Sequence, residues 1–406
     1  MRVSSNTIFD SNVAALGQQQ ANLLKIQQQV ATGRRILTAS DDPVAAARAI
    51  SVNQADAMNT QYAANRMAAR NTLSLADSNL QSVTSLLHDV HTAAVNAGNG
   101  SFTAADRRTM ATELSGRLQE LIGLANSTDG AGNYLFSGFQ SKTQPFADVA
   151  GSISYNGDDG QRLVQANAAR QIASSDSGAD VFMRIKKGNG TFVTQPSTNT
   201  ITLGANTGTG IISTGTVTNP AALVAGNSYT ISFSVAAGVT SYTVTGTPTA
   251  LASAMAGVAY VSGQAISFDG MQLDIQGAPA NGDTFTVAPS ANESIFKTIS
   301  DLIAALNTPV VGANLTNSLN RGLNHLDNAL NNVLSVQSSL GLRLQEVDAL
   351  QSAGDDLSLQ YKQTLAELQD VDPFKAYSDL TQQNTSLQAS LKSFAAVSNL
   401  SLFNYI

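Results

Sequence analysis

Apolar positions near both ends of the chain recur at alternating steps of three and four residues. This spacing places side chains on one face of an α-helix and is typical of helices that pack in coiled-coil-like seams. Near the N-terminus the apolar members of the row are Val13, Leu16, Leu23 and Val30. Near the C-terminus they are Leu380, Leu387, Leu391 and Phe394, followed by Leu400, Leu402 and Phe403. Because isolated helices are marginal in water, we expect the two rows to bury against each other or against neighbouring chains, and we predict a subunit interface at these residues.

Polar residues interrupt both rows. Gln20 and Gln27 occupy row positions near the N-terminus, and Asn384 and Ser398 do so near the C-terminus. Such residues either fix the register of packed helices at some cost in stability or mark the exposed edge of the row. The sequence does not decide between these two interpretations.

Two longer apolar rows predict the core of a helical bundle. The first keeps the same rhythm from Leu73 to Ala94, and Gly98 is predicted to end its helix. The second runs from Leu319 to Val347. Gly354 interrupts this second row, which resumes with Leu357, Tyr361, Leu365 and Leu368.

Two Asp-Pro pairs are predicted to begin helices. Asp42-Pro43 precedes the first long row, and Asp372-Pro373 precedes the last apolar row. An aspartate side chain can accept a hydrogen bond from a free amide at a helix N-terminus, and proline fits the first helical position.

The middle of the chain, residues 141–291, has a different composition. It holds 18 of the 31 glycines and six of the nine prolines, and residues 191–268 carry no charged side chain. Apolar and polar residues alternate in it, as in the run Tyr229, Ile231, Phe233 and Val235. An Asp-Gly pair at 269–270 lies between two such runs and predicts a tight hairpin.

These zones predict a mainly α fold with a β-rich insertion. We expect helices from both termini to form a long antiparallel coiled-coil-like bundle, with the β domain facing outward. The predicted domains are the terminal helices at 1–40 and 371–406, the bundle core at 41–140 and 292–370, and the insertion at 141–291. The terminal helices are predicted to be mobile in the monomer and to become ordered on assembly, because the free monomer offers them little surface to pack against.

The amino-acid composition limits the kinds of molecule that this protein is expected to bind. Only 13% of the 406 residues are charged, and the formal net charge is -7. Nucleic acids and anionic membranes attract basic surfaces, so we expect neither as a partner. No apolar run is long enough to span a bilayer, and the N-terminus lacks the pattern of a secretory signal peptide. The absence of cysteine is either chance or typical of a protein that crosses membranes unfolded into oxidising surroundings. If the protein leaves the cell, we expect a leaderless route.

The three histidines offer little chemistry. His88 and His91 lie three residues apart, a spacing that can place two ligands on one helix face, but no acidic cluster completes a metal site. We interpret them as a solvated face and His325 as packing at the rim of the second long row. The Asp-Asp-Gly run at 158–160 lacks the spacing of a calcium loop and is interpreted as a turn. We predict no catalytic, cofactor-binding or metal-ligating residues, no cofactor and no enzyme activity.

Several segments resemble known protein families. Residues 2–12, 33–46 and 94–100 resemble the flagellin superfamily. The segment GNYLFSGF at 132–139 is more specific and resembles the family of flagellar hook-associated protein 3, the hook–filament junction. The C-terminal segments 380–383, 387–390 and 400–406 are similar to the end of the same family.

This resemblance implies a structural subunit of the bacterial flagellum that forms the junction between hook and filament. It implies a ring of identical copies between the first hook-associated protein and the flagellin filament, with the terminal helices inside and the insertion outside. It also implies export through the flagellar type III channel, a chaperone that binds the C-terminal helix, and an extracellular location.

Three other functions stay open. Flagellin itself shares the N-terminal helices, although the segment 132–139 and the C-terminal residues favour the junction family. Insertions in flagellin-type chains can carry a protease, but no HExxH motif or nucleophile–base pair is evident in this sequence. A surface rich in serine and threonine permits glycan binding by the insertion without indicating it.

Overall fold

The computed structural model describes residues 5–308 and 312–399 of the chain. Its α-helices are α1 (Ser5–Thr32), α2 (Pro43–Ala97), α3 (Ala104–Ala125), α4 (Ile295–Asn307), α5 (Ala313–Gln369) and α6 (Pro373–Asn399). The chain divides into two compact units. The terminal unit comprises Met1–Asn65 and Ala349–Ile406, and the central unit comprises Arg66–Asp348.

The helices begin where the sequence predicts. α2 starts at Pro43, and the Oδ1 atom of Asp42 accepts a hydrogen bond from a first-turn amide at 3.0 Å. α6 starts at Pro373, and the Oδ1 atom of Asp372 accepts a first-turn amide at 2.9 Å. Each aspartate satisfies a donor that the start of a helix leaves without an intrahelical partner.

Glycine ends two helices but does not interrupt a third. α1 ends before Gly33, which has a φ of 70°, and α2 ends before Gly98. Gly354 interrupts the apolar row but not the helix, because α5 continues through it. One glycine inside a helix costs only about 1 kcal/mol. The carbonyl of Gly354 also accepts a hydrogen bond from the side-chain amide of Asn59 at 2.7 Å, so the helix packs closely here.

Both long apolar rows are buried in the central unit. The fully buried members are Leu73, Leu80, Val83, Leu87, Val90 and Ala94 in α2, and Leu319, Leu326, Val333, Leu340 and Val347 in α5. Two side-chain contacts show that these helices run antiparallel, since Arg70 lies 3.2 Å from Asp348 and His91 lies 3.4 Å from Asp327.

The strands lie between α3 and α4. They are β1 (Phe146–Val149), β2 (Ser152–Tyr155), β3 (Leu163–Gln165), β4 (Gln171–Ala173), β5 (Ile185–Lys186), β6 (Phe192–Pro196), β7 (Ile211–Ile212), β8 (Thr216–Val217), β9 (Ser228–Ala236), β10 (Val239–Thr247), β11 (Met255–Ala259), β12 (Ala265–Phe268), β13 (Met271–Gln276), β14 (Thr284–Pro289) and β15 (Asn292–Glu293). One sheet has the order β11-β10-β9-β14-β6, and another has the order β12-β13-β7 with β8 also paired to β13. All these pairs are antiparallel.

The two larger sheets share one apolar core. In β9 the side chains of Tyr229, Ile231 and Phe233 are buried, as the alternation predicts. Positive φ angles at Asp269 and Gly270 form the predicted tight turn between β12 and β13.

A separate aromatic cluster joins the early strands to α4. The ring of Phe146 lies 5.1 Å from that of Phe296 and 5.4 Å from that of Phe182. Phe296 belongs to α4, so this cluster crosses the predicted boundary of the insertion at residue 291. The division into three domains stays a prediction.

The predicted fold class, mainly α with a β-rich insertion, is confirmed. Among the residues that the structure describes, no helix is both long enough and apolar enough to cross a membrane.

Candidate assembly surface

α1 and α6 form an antiparallel pair in the terminal unit. The amide of Val371, just before α6, donates to the carbonyl of Gly33, just after α1, at 3.0 Å. At the other end of the pair, the rings of Phe9 and Phe394 lie with centroids 5.3 Å apart. The end of each helix therefore lies beside the start of the other.

The facing sides of the pair follow a strict alternation of four and three. On α1 the half-buried positions include Asn12, Leu16, Gln19, Leu23, Ile26 and Val30. On α6 the buried or half-buried positions include Ala376, Leu380, Gln383, Leu387, Ser390 and Phe394. The seam is thus coiled-coil-like but contains several polar or small members, and most of it is only partly shielded from water.

The structure separates the predicted interface residues into three groups. Leu16, Leu23, Val30, Leu380, Leu387 and Phe394 are half-buried in the seam. Val13 and Leu391 lie on its flank and are 47% and 45% exposed. Leu400, Leu402 and Phe403 lie outside the described residues. The part played by any of them in a subunit interface stays a prediction.

The polar members of the predicted rows also divide. Gln20 and Gln27 are exposed, so they lie at the edge of the seam, while Asn384 is half-buried. The side chain of Ser398 lies outside the described part of the structure. The seam positions on the same turns as the glutamines are taken by Gln19 and Ile26.

Further apolar side chains on the pair face solvent, and the row pattern missed them. Leu24 is 58% exposed on α1, and Phe374 and Tyr377 are 89% and 60% exposed on α6. At 100° per residue, Val13 and Leu24 lie on one flank of α1, and Leu391 and Tyr377 lie on one flank of α6. The sequence does carry a signal for them, because the apolar residues of each helix cover a wider part of its circumference than a single packed seam requires.

A shallow groove runs along α6. It has a volume of about 750 Å³ and is lined by Tyr377, Ser378, Thr381, Gln382, Thr385, Ser386 and Ala389. Most of these side chains are small, so another helix can approach the backbone of α6 closely. The groove contains no charged residue that such a helix would have to desolvate.

Electrostatic contacts fix the turn that follows α1. The Nζ atom of Lys25 lies 2.7 Å from Asp41. The other carboxylate oxygen of Asp41 accepts the amides of Leu37 and Thr38 at 3.0 and 2.9 Å. The hydrogen bond from Lys25 and those from the two amides hold the pKa of Asp41 well below its ordinary value.

The histidines make no metal site in the described residues. His88 is exposed and His91 is half-buried beside Asp327. Within residues 5–308 and 312–399, no group of three or more His, Asp or Glu side chains is placed to hold a metal ion.

The interpretation of His325 as rim packing is wrong. Its side chain is buried, and its Nδ1 atom lies 3.4 Å from the Oε1 atom of Glu293. The Nζ atom of Lys187 lies 2.6 Å from the other oxygen of the same carboxylate. Burial alone would raise the pKa of Glu293, but hydrogen bonds with His325 and Lys187 outweigh it and lower this pKa to about 2.

Comparison with known proteins connects both units to the flagellum. Residues 3–141 match the bacterial flagellin N-terminal helical region. Residues 201–289 match the D2-like domain of flagellar hook-associated protein 1. The two matches cover the first three helices and most of the strands.

Full-length matches are more specific. Flagellar hook-associated protein 3 of Salmonella typhimurium is 29% identical over 99% of both chains. The crystal structure of the flagellar junction protein FlgL from Legionella pneumophila is 35% identical, with a TM-score of 0.71, over 80% of this chain and 100% of that protein. The chain belongs to the flagellar hook-associated protein 3 family. It is a structural protein of the bacterial flagellum, and proteins of this family are exported and form part of the extracellular flagellum.

Similarity to flagellin is weaker and partial. Flagellin of Listeria monocytogenes is 28% identical over 129 residues, which is 32% of this chain and 45% of that protein. The match to hook-associated protein 3 therefore spans nearly the whole chain, whereas this flagellin match spans about a third of it.

Proposed function

We propose that this chain joins the hook to the filament by assembling with copies of itself through α1 and α6. The observation that carries the proposal is the uncovered apolar flank of the α1–α6 pair. Tyr377 and Leu391 on α6, with Val13 and Leu24 on α1, expose large apolar side chains on this flank in a single chain, and Phe374 exposes another at the start of α6. Contact with neighbouring subunits would remove that surface from water.

The energetics favour assembly over a rigid monomer. Full burial of one large apolar side chain contributes roughly 1.5–3 kcal/mol. Ordering the backbone costs about 1–2 kcal/mol per residue. Because the seam residues Leu16, Leu387 and Phe394 are only half-buried, the pair recovers only part of their burial energy within one chain. Neighbouring copies would contribute the remainder.

The exposed apolar flank of the α1–α6 pair also suggests which proteins this chain binds. The first hook-associated protein on one side and flagellin on the other are the proposed neighbours of the ring, in addition to further copies of this chain. Before assembly, the exposed apolar flank of α6 offers an export chaperone a helix to bind. The proposal includes no catalytic role, because the relatives are structural flagellar proteins.

Electron microscopy of cells that lack this chain tests the proposal. We expect hooks without filaments and flagellin released into the medium. The wild-type gene should restore filaments. Filaments of normal length in the deletion strain would contradict a junction role, and long filaments formed by the purified chain alone would instead indicate a flagellin.

A further inference from the structure

A row of asparagines on α5 ties this helix to the strand region in the central unit. The side-chain amide of Asn317 donates to the carbonyl of Gly210 at 2.9 Å, and its oxygen accepts the amide of Ile212 at 3.0 Å. Further along α5, Asn328 donates to the carbonyls of Lys186 and Gly188 at 2.9 and 2.8 Å. Each asparagine satisfies backbone groups that the strands leave unpaired.

Between these two asparagines the row is interrupted by a small cavity. The cavity has a volume of about 20 Å³, and its lining includes Arg321, Asn324 and His325 of α5 with Thr194 and Ile212 of the strands. A water molecule needs roughly 10–15 Å³ of such space and two to four polar partners. The cavity is therefore large enough for one water and too small for a larger ligand.

Two buried polar atoms belong to the residues that line this cavity. Neither the Oδ1 atom of Asn324 nor the Nε2 atom of His325 has a hydrogen-bond partner among the described residues. His325 is only 6% exposed. A buried polar atom without a hydrogen-bond partner costs free energy, so we expect a bound molecule that forms hydrogen bonds with both atoms.

The chemistry of the two atoms decides what kind of ligand fits. The Oδ1 atom of Asn324 is an acceptor, whereas the Nε2 atom of His325 accepts or donates according to the proton it carries. The Nδ1 atom of the same ring is occupied by the carboxylate of Glu293 at 3.4 Å. The ligand must therefore be a small molecule that can both donate and accept, as water can.

We propose that the cavity binds one ordered water molecule that donates to Asn324 Oδ1 and forms a hydrogen bond with His325 Nε2. Arg321 lines the same cavity and is half-buried. Its guanidinium can donate to the water oxygen, which gives the water three partners. The water then completes the contact between α5 and the strand region where the asparagines do not.

The ring of His325 in the wild-type chain gives a direct test. With only three histidines, selective ¹⁵N labelling of histidine allows each ring to be assigned in the full-length protein. We expect a hydrogen-bonded Nε2, and a magnetisation transfer peak between bound water and a ring proton of His325. An Nε2 atom without a hydrogen bond, or no transfer from water, would overturn the proposal.

A pair of substitutions tests the same site by the sign of a stability change. Asn324→Leu removes one acceptor, while Asn320→Leu makes the same chemical change at an exposed residue that lines the same cavity. If water is bound, Asn324→Leu lowers the Tm by about 2–4 °C relative to the control. If the cavity is dry, the substitution removes an unsatisfied atom and fills space, so the Tm rises relative to the control and the proposal is rejected.

Discussion

The ring of Phe394 near the end of α6 packs against the ring of Phe9 near the start of α1, with a centroid distance of 5.3 Å and planes tilted by 47°. Replacing Phe394 with Asp places a charge in this contact and weakens the helix pair. Because the central unit has its own buried core, we expect the melting temperature of that unit to change by less than about 1 °C in the Phe394→Asp variant. We also expect cells that carry the variant to lack filaments.

Hydrogen exchange on the wild-type protein distinguishes a mobile α1–α6 pair in the monomer from an ordered pair in the assembly. We expect weak protection of residues 374–396 in the dilute wild-type monomer and strong protection after assembly. Strong protection of these residues in the monomer would show that α6 is already stably docked, and the coupling between ordering and assembly would then be wrong.

Val13 and Gln18 provide a matched comparison on α1. Both side chains are exposed, but Val13 lies on the apolar flank and Gln18 lies roughly 140° around the helix from it. We expect Val13→Glu to block assembly without changing the far-UV circular dichroism of the monomer, because no buried contact is lost. Gln18→Glu adds the same charge and should preserve assembly. Equal loss in both variants would mean that added charge alone, and not the flank, disturbs the subunit contact.

Glu293 should make the central unit sensitive to acid. Its folded pKa of about 2 lies below the ordinary value of 4.5. A lowered pKa stabilises the fold above the ordinary value, and that contribution is lost as the pH falls from about 4.5 towards 2. We expect Glu293→Gln to reduce the free energy of unfolding by roughly 1.5–3 kcal/mol at pH 7.

Denaturant titrations of Glu293→Gln and the wild type at several pH values check this expectation. The difference between the two proteins should shrink below pH 4.5. A difference that stays constant down to pH 2.5 would show that the charge of Glu293 does not contribute.

Asn328 should contribute more to stability than its neighbour Asn331. The amide of Asn328 donates to two backbone carbonyls, whereas Asn331 is exposed. Asn328→Ala leaves those carbonyls without this donor, so we expect a loss of roughly 1–3 kcal/mol in the free energy of unfolding. Asn331→Ala should stay within about 0.5 kcal/mol of the wild type. Urea unfolding of both variants measures the difference, and equal values would show that the bonds of Asn328 are not stabilising.

The two larger sheets should be removable without loss of the remaining fold only if the deletion leaves the aromatic cluster around Phe296 intact. The amide of Ser290 donates to the carbonyl of Thr191 at 2.9 Å, so the ends of the segment between them are adjacent. Replacing residues 192–289 with a short Gly/Ser linker should leave a cooperative thermal transition. Replacing residues 141–291 removes Phe146 and Phe182 from the ring of Phe296 and should broaden or abolish that transition. Cooperative melting of the larger deletion would instead support the predicted boundaries at 141 and 291.

The order of local elements followed from the sequence because their signals are local. An aspartate before Pro43 or Pro373 caps the helix that starts there, and the Asp-Gly pair at 269–270 adopts the positive φ angles of a hairpin turn. The alternation at Tyr229 and Ile231 places side chains on one face of a strand wherever the strand packs. These features depend on neighbours only a few residues away.

The tertiary structure decided which side of each helix is covered and which distant groups meet. The spacing of apolar residues alone is compatible with either Val13 or Asn12 on the buried face of α1. The position of α6 makes Asn12 a seam residue and leaves Val13 on the flank. In the same way, packing of α5 against the strands buried His325 beside Glu293 and Lys187. Periodicity fixes angles around one helix axis, whereas burial depends on chain segments that are remote in sequence and approach only when the whole fold forms.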